Sequence, residues 1–137
     1  MAQSRAQMLP VPDPKAPAQP EVVIVEDDAD LLRALSFAFE TEGFGVQSYE
    51  SAEALLDRAS LPERSCLVID YWLPKMNGLA LLSRLREQGH DLPAVLITTP
   101  TREIERRAAL ASVSIVDKPL LNNALVAKVR ELLAPQG

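Results

Sequence analysis

The chain of 137 residues has little of what marks a specialised class of protein. Its one cysteine, Cys66, cannot form an internal disulfide and lies in no CxxC pattern, which excludes a disulfide framework and a structural zinc site. No apolar run approaches the roughly 20 residues that span a membrane, and the N-terminus lacks the apolar core of a secretory signal. We therefore predict a cytoplasmic protein in a reducing compartment, with no membrane partner.

Basic residues are also scarce, with 14 Lys and Arg against 19 Asp and Glu and a formal net charge of -5. They form no run or stripe of the kind that a phosphate backbone requires, so we expect no direct contact with nucleic acid. The remaining composition, 47% hydrophobic and 24% charged, is typical of one ordinary globular domain.

Proline is concentrated at the N-terminus. Residues 1–20 hold five of the eleven prolines and show no periodic apolar pattern. We interpret them as a flexible, extended tail and predict a single domain over residues 21–137. Because no linker-like segment follows that domain, we expect it to stand alone.

Short apolar runs alternate five times with segments of helical periodicity. The predicted strands cover residues 22–25, 45–49, 66–69, 94–97 and 114–116, and the predicted helices cover residues 29–42, 52–59, 78–88, 100–110 and 120–133. Strands without polar alternation are buried on both faces, which indicates a parallel sheet covered by helices. The predicted fold is a flavodoxin-like, doubly wound α/β domain with five strands in the order 2-1-3-4-5 and five helices.

Capping residues mark the predicted helix starts. Asp28, Ser51 and Asn77 are expected to be N-caps. Thr99 is expected to cap the fourth helix, with Pro100 as its first residue.

Acidic residues follow two strands that neighbour each other in this order. Glu26 and Asp27 follow the first strand, and Asp70 ends the third. Three carboxylates in one crevice repel one another unless a proton or a cation neutralises them, and Mg²⁺ suits a site with few carboxylates, retained waters and a phosphate. Thr98 after the fourth strand can donate a hydrogen bond to a phosphoryl oxygen, and Lys118 after the fifth can offset its charge.

Other interpretations of these residues stay open at this level. Each acid alone is equally compatible with a solvated turn or a helix cap. A nucleotide carrier of the same fold is disfavoured, because the acids after the first strand would repel phosphate. A haloacid-dehalogenase-like aspartyl phosphatase needs a second acid two residues after the first, where Trp72 stands.

Four segments together resemble the receiver domain of bacterial two-component response regulators: VVIVEDD at 22–28, VIDYWLPKMNG at 68–78, LITT at 96–99 and DKP at 117–119. The segment DYWLPKMNG is most similar to the corresponding segment of regulators of the nitrogen-fixation type. The resemblance implies that a sensor histidine kinase or phosphotransfer protein passes a phosphoryl group to Asp70. Such a domain is a signalling phosphoacceptor rather than an enzyme, and it acts on a downstream protein or pairs with a second copy.

The resemblance also assigns roles to individual residues. It implies that Mg²⁺ is held by Glu26, Asp27, Asp70 and the main-chain carbonyl of Trp72. It further implies that Thr98 and Lys118 bind the phosphoryl oxygens, and that the Lys118–Pro119 peptide bond is cis.

Two departures from the family pattern affect the expected signal. Ile115 stands where members usually have an aromatic residue that rotates inward on phosphorylation, and Ala111 and Ser112 replace a Gly-Ala step. We therefore expect an altered switch and a non-standard partner surface at the fourth helix, with a phosphorylation-independent adaptor as the alternative function. Trp72 is expected either to shield the phosphoryl group from water or to pack over a neighbouring helix.

Overall fold

The computed structural model describes residues 19–58, 60–118 and 123–134. The strands are β1 (Glu21–Val25), β2 (Gly45–Tyr49), β3 (Ser65–Asp70), β4 (Ala94–Thr98) and β5 (Ser114–Asp117). The helices are α1 (Ala29–Thr41), α2 (Ala52–Leu56), α3 (Gly78–Glu87), α4 (Arg102–Leu110) and α5 (Ala124–Leu133). Most of the predicted tail and the Lys118–Pro119 bond lie outside the described residues.

All neighbouring strands pair in parallel, in the order β2-β1-β3-β4-β5. This confirms the predicted flavodoxin-like topology with five helices. The central strands β1, β3 and β4 are almost wholly buried, as their unbroken apolar runs predict. Among the residues described, no helix combines the length and hydropathy that crossing a bilayer requires.

The apolar core forms one layer on each face of the sheet. Val23 and Val25 of β1 pack in the layer beneath α2, α3 and α4, whereas Val22 and Ile24 pack in the layer beneath α1 and α5. This division follows from the two-residue period of a strand. Helices therefore cover both faces and leave the carboxyl ends of the strands at one edge.

Three of the predicted helix caps are confirmed. Asp28 accepts the N–H groups of the second and third residues of α1 at 3.0 and 3.1 Å. Ser51 accepts the N–H of Ala54 at 3.1 Å, and Asn77 accepts the N–H of Ala80 at 2.8 Å. Each side chain satisfies a backbone donor that the first turn of a helix leaves unpaired.

The predicted start of α4 is wrong by two residues. Thr101, not Thr99, is the N-cap, and its hydroxyl accepts the N–H of Ile104 at 3.2 Å. Because β4 continues to Thr98, the chain uses the next two residues to leave the sheet before the helix begins. In addition, α2 ends at Leu56, before the predicted end, and the first predicted residues of α5 lie outside the described ranges.

Three helices end in the same Schellman-type turn. Gly43 after α1 and Gly89 after α3 have φ values of +94° and +92°. Ser112 takes the equivalent place after α4 with a φ of 56°. Its N–H donates to the carbonyl of Ala109 at 3.1 Å, and the N–H of Val113 donates to that of Ala108 at 3.0 Å.

Candidate functional site

The predicted acids meet where β1 and β3 end side by side. Val25 is level with Ile69 in the parallel register, so the next residues, Glu26 and Asp70, are also adjacent. The N–H of Glu26 donates to the carbonyl of Tyr49 at 3.0 Å, which anchors this turn to β2 as well. The order of the strands in the sheet thus brings together two side chains that are far apart in the sequence.

Glu26, Asp27 and Asp70 form one cluster of carboxylates. Each offers an oxygen that lies within 4.8 Å of those of the other two. Glu26 and Asp70 are buried, with 1% and 3% of their surfaces exposed, whereas Asp27 faces solvent. The cluster is therefore a pocket with two buried acids and one acid at its mouth.

Backbone donors and one lysine hold the two buried acids in place. Trp72 donates its N–H to Asp70 Oδ1 at 3.0 Å, and Asp28 donates its N–H to Glu26 Oε2 at 3.1 Å. The half-buried Lys118 donates from Nζ to Asp70 Oδ2 at 3.1 Å and to Glu26 Oε1 at 3.4 Å. Both carboxylates consequently have fixed orientations.

The electrostatics of the pocket shift two pKa values. Burial, followed by a hydrogen bond with Asp70, raises the pKa of Glu26 from 4.5 to about 7, although the Asp28 N–H and Lys118 oppose the rise. Burial by itself lowers the pKa of Lys118, but its hydrogen bonds and charge interactions with Asp70 and Glu26 outweigh burial and raise it. Lys118 therefore stays positively charged, and Glu26 can exchange a proton near neutral pH.

Thr98 and Lys118 lie at the ends of adjacent strands. Thr98 is fully buried, and its hydroxyl donates to the carbonyl of Thr99 at 3.4 Å. The N–H of Lys118 donates to the carbonyl of Thr98 at 3.0 Å, which continues the pairing of β4 with β5. The backbone thus brings Thr98 and Lys118 to the same edge of the sheet, although the Thr98 hydroxyl is turned to its own neighbour.

Trp72, whose main-chain N–H binds Asp70, has 65% of its surface exposed. Its ring packs edge-on against Tyr71, with centroids 4.9 Å apart and an interplanar angle of 84°. Tyr71 is buried in the core beneath α3 and α4. Among the described residues, the Trp72 ring thus packs on the side chain of its neighbour Tyr71, and most of the indole faces solvent.

Ile115 occupies the middle of β5, level with Leu96 of β4. It is half-buried and packs against the core layer beneath α2, α3 and α4. Its aliphatic side chain occupies the position at which members of the resembled family usually have an aromatic residue.

Sequence reasoning missed the role of Gly78 in this site. Its N–H donates to the carbonyl of Tyr71 at 2.8 Å, and a Cβ at this position would lie 2.7 Å from the carbonyl oxygen of Asp70. Only glycine lets α3 approach the end of β3 so closely. The Asn77-Gly78 pair is recognisable in the sequence as a helix start, but the contact with Asp70 depends on the fold.

The donor set suits Mg²⁺. Three carboxylate oxygens within reach of one point offer hard ligands, and the exposed side of Asp27 leaves room for waters that a magnesium ion retains. One lysine cannot balance three carboxylates, so a divalent cation would lower the repulsion in the pocket.

A doubly wound parallel sheet with clustered carboxylates and a lysine beyond its strand ends is the arrangement that the sequence resemblance predicts for a receiver domain. The family model for the response regulator receiver domain matches residues 22–130, and the chain belongs to this family. Receiver domains of two-component systems bind Mg²⁺ at an acidic pocket and interact with histidine kinases or phosphotransfer proteins.

Relatives and solved structures agree with this assignment. The chain is 37% identical over 97 residues to an uncharacterized 14.6 kDa protein in the sodA1 3' region of Leptolyngbya boryana, covering 69% of this chain and 74% of that protein. It is 31% identical over 122 residues to the transcriptional regulatory protein FixJ of Azorhizobium caulinodans, covering 85% of this chain but 57% of FixJ. The chain therefore spans little more than half of that relative.

The crystal structure of FixJ-N superposes with a TM-score of 0.75 at 26% identity, covering 85% of this chain and 94% of FixJ-N. The similarity thus extends over nearly the whole of that receiver structure.

Proposed function

We propose that Asp70 accepts a phosphoryl group from a sensor histidine kinase or a phosphotransfer protein, in a magnesium-dependent reaction in the cytoplasm. The observation that carries this proposal is the setting of the Asp70 carboxylate. One oxygen accepts the Trp72 N–H at 3.0 Å, and the other accepts Lys118 Nζ at 3.1 Å. A carboxylate with a fixed orientation and a cation beside it is suited to in-line nucleophilic attack.

The transfer balances as one displacement at phosphorus. A carboxylate oxygen of Asp70 forms a bond to phosphorus while the nitrogen–phosphorus bond of the donor phosphohistidine breaks. The leaving imidazole takes a proton from solvent. Lys118 then exchanges part of its contact with Glu26 for the phosphoryl oxygens, and the Thr98 hydroxyl turns from the Thr99 carbonyl to donate to one of them.

Mg²⁺ would be held by Glu26, Asp27, Asp70 and the main-chain carbonyl of Trp72. When bound, the ion supplies positive charge that offsets the charge of the phosphoryl oxygens. Lys118, which directly follows β5, provides the remaining positive charge, so the protein and the ion act on the same phosphoryl group. Slow hydrolysis of the acyl phosphate would return Asp70 to its free form.

We further propose that the signal passes by protein–protein interaction, to a downstream protein or a second copy of the chain. A phosphorylation-independent adaptor is the second candidate, and Ile115 is the observation that favours it. A half-buried aliphatic side chain within the core layer lacks the aromatic ring whose rotation reports phosphorylation in the family.

Amide NMR spectra with magnesium and beryllium fluoride, a phosphoryl mimic, separate the two functions. A phosphoacceptor with a working switch shows shifts at the pocket and also along α4 and β5, and Asp70→Asn abolishes them. Shifts confined to the pocket favour the adaptor, because the signal then does not leave the site. Complete absence of shifts rejects the phosphoacceptor proposal.

A further inference from the structure

A groove with a cavity volume of about 560 Å³ runs between α3 and α4, away from the acid pocket. Its apolar lining includes Leu79 and Leu82 from α3 and Leu110 from α4. Leu110 is 77% exposed, which makes it one of three large apolar residues among those described that face solvent. An apolar cleft of this size on a small domain is a typical place for a ligand or a partner segment.

The charge of the groove is opposite to that of the whole chain. Its described lining contains Arg86 and Arg107 and no acidic residue, although acids outnumber bases in the sequence by 19 to 14. Arg86 donates to the carbonyls of His90 and Leu92 at 3.0 and 2.6 Å, which fix its position but leave its positive charge without an acidic partner there. The groove thus contains a guanidinium group in a fixed position beside an apolar surface.

Arg107 is only partly neutralised. It pairs with Glu103 at 2.7 Å, but the same carboxylate also pairs with Arg106 at 2.8 Å. One acid therefore serves two arginines, and a net positive charge remains on this side of the groove. Guanidinium groups in such positions bind carboxylates through paired, charge-assisted hydrogen bonds.

Charge also decides against the chain's own N-terminal segment as the occupant. Residues 1–18 contain Arg5 and Lys15 against the single acid Asp13, so they carry the same sign as the groove. Repulsion between like charges would oppose their docking there. A segment with acidic residues around an apolar stripe matches both the lining and the charge.

Arg107 also connects the groove with the residue next to the proposed phosphoacceptor. The Tyr71 side chain lies close enough to Arg107 to add to the rise in its pKa, which is caused mainly by the hydrogen bond with Glu103. Tyr71 follows Asp70 directly, and its main chain also holds the start of α3 through Gly78. A change at Asp70 can therefore reach both helices that form the groove.

We propose that the groove between α3 and α4 is the docking site for an acidic amphipathic segment of a downstream protein. Apolar side chains of that segment would cover Leu79, Leu82 and Leu110, and its carboxylates would pair with Arg86 and Arg107. Docking itself is independent of phosphorylation, whereas its regulation through Tyr71 rests on the proposed function of Asp70.

Selection of a random 16-residue peptide library on the full chain tests the docking site. The matched variants are Leu110→Glu and Phe37→Glu, since both residues are large, apolar and exposed, at 77% and 71% respectively, and Phe37 lies on α1 across the sheet. We expect enriched peptides with acids flanking apolar residues. Their affinity should fall at least about tenfold with Leu110→Glu or Arg107→Gln and with added salt, and stay unchanged with Phe37→Glu.

Any of the following results would overturn the proposal. Enriched peptides that are basic or proline-rich, and that compete with residues 1–18 for binding, would show that the groove binds the N-terminal segment of the chain itself. Self-association that Leu110→Glu abolishes, measured by sedimentation, would assign it to a second copy. A failure to enrich peptides, or equal binding to Leu110→Glu, would show that the groove does not bind such segments. The peptide selection uses the unphosphorylated chain without metal or phosphoryl donor, so a failed phosphoacceptor assay does not affect this test.

Discussion

The stability of the metal-free protein should fall as the pH rises, because of Glu26. Burial and the neighbouring Asp70 raise its pKa from 4.5 to about 7 in the folded chain. Between these values the folded state holds a proton that the unfolded state has released. The stabilisation linked to that proton is complete below the unfolded pKa and is lost as the pH rises through the folded pKa.

The size of the effect follows from the two pKa values. One pKa unit corresponds to about 1.4 kcal/mol, so the full change is on the order of 3 kcal/mol, most of which falls between about pH 5 and about pH 8. Such a loss is a large fraction of the free energy of unfolding of a small domain.

Urea unfolding followed by circular dichroism, in the presence of a chelator, measures the effect. Glu26→Gln, which stays neutral at every pH, should flatten the profile. Saturating Mg²⁺ should restore stability mainly at the higher pH, where the Glu26 carboxyl has lost its proton. A wild-type free energy of unfolding that stays constant or increases over this range would refute the reasoning, as would an identical slope in Glu26→Gln.

Four further substitutions test three separate parts of the structure. Gly78→Ala should destabilise the fold by about 2 kcal/mol in urea unfolding, because its Cβ would lie 2.7 Å from the Asp70 carbonyl oxygen; a neutral effect would disprove that contact. Ser112→Gly should stabilise by about 0.5–1 kcal/mol, and Gly89→Ala should destabilise by about 1 kcal/mol, since both positions have a positive φ; equal effects would contradict this reading. Trp72→Asn should speed dephosphorylation severalfold by admitting water, and an unchanged decay of radiolabelled phosphoprotein would argue against shielding.

The fold and the acid cluster were predictable because their causes are local. Each strand is a continuous apolar run, and the acids stand directly after two of those runs. Parallel pairing then brings Glu26 level with Asp70 without any further information. The positions of these carboxylates therefore follow from pattern and topology alone.

Other features depend on contacts that the sequence pattern does not contain. Thr99 and Thr101 flank Pro100, and either can cap a helix; which one does so depends on how far β4 pairs with its neighbours. The contact of Lys118 with Glu26 joins side chains 92 residues apart. The proximity of the Tyr71 side chain to Arg107 likewise arises only when α4 packs on the sheet.

The central claim is that Asp70 accepts a phosphoryl group with the help of a divalent cation. The most direct test is the intact mass of the protein after incubation with acetyl phosphate and Mg²⁺, and again with a chelator in place of the metal. Asp70→Asn is the test variant, and Asp57→Asn, an exposed acid after α2, is the matched control. We expect a single phosphoryl adduct in wild type and Asp57→Asn that requires the metal and is absent in Asp70→Asn. An adduct that persists in Asp70→Asn, or none in wild type even with a phosphorylated sensor kinase as donor, would contradict the claim.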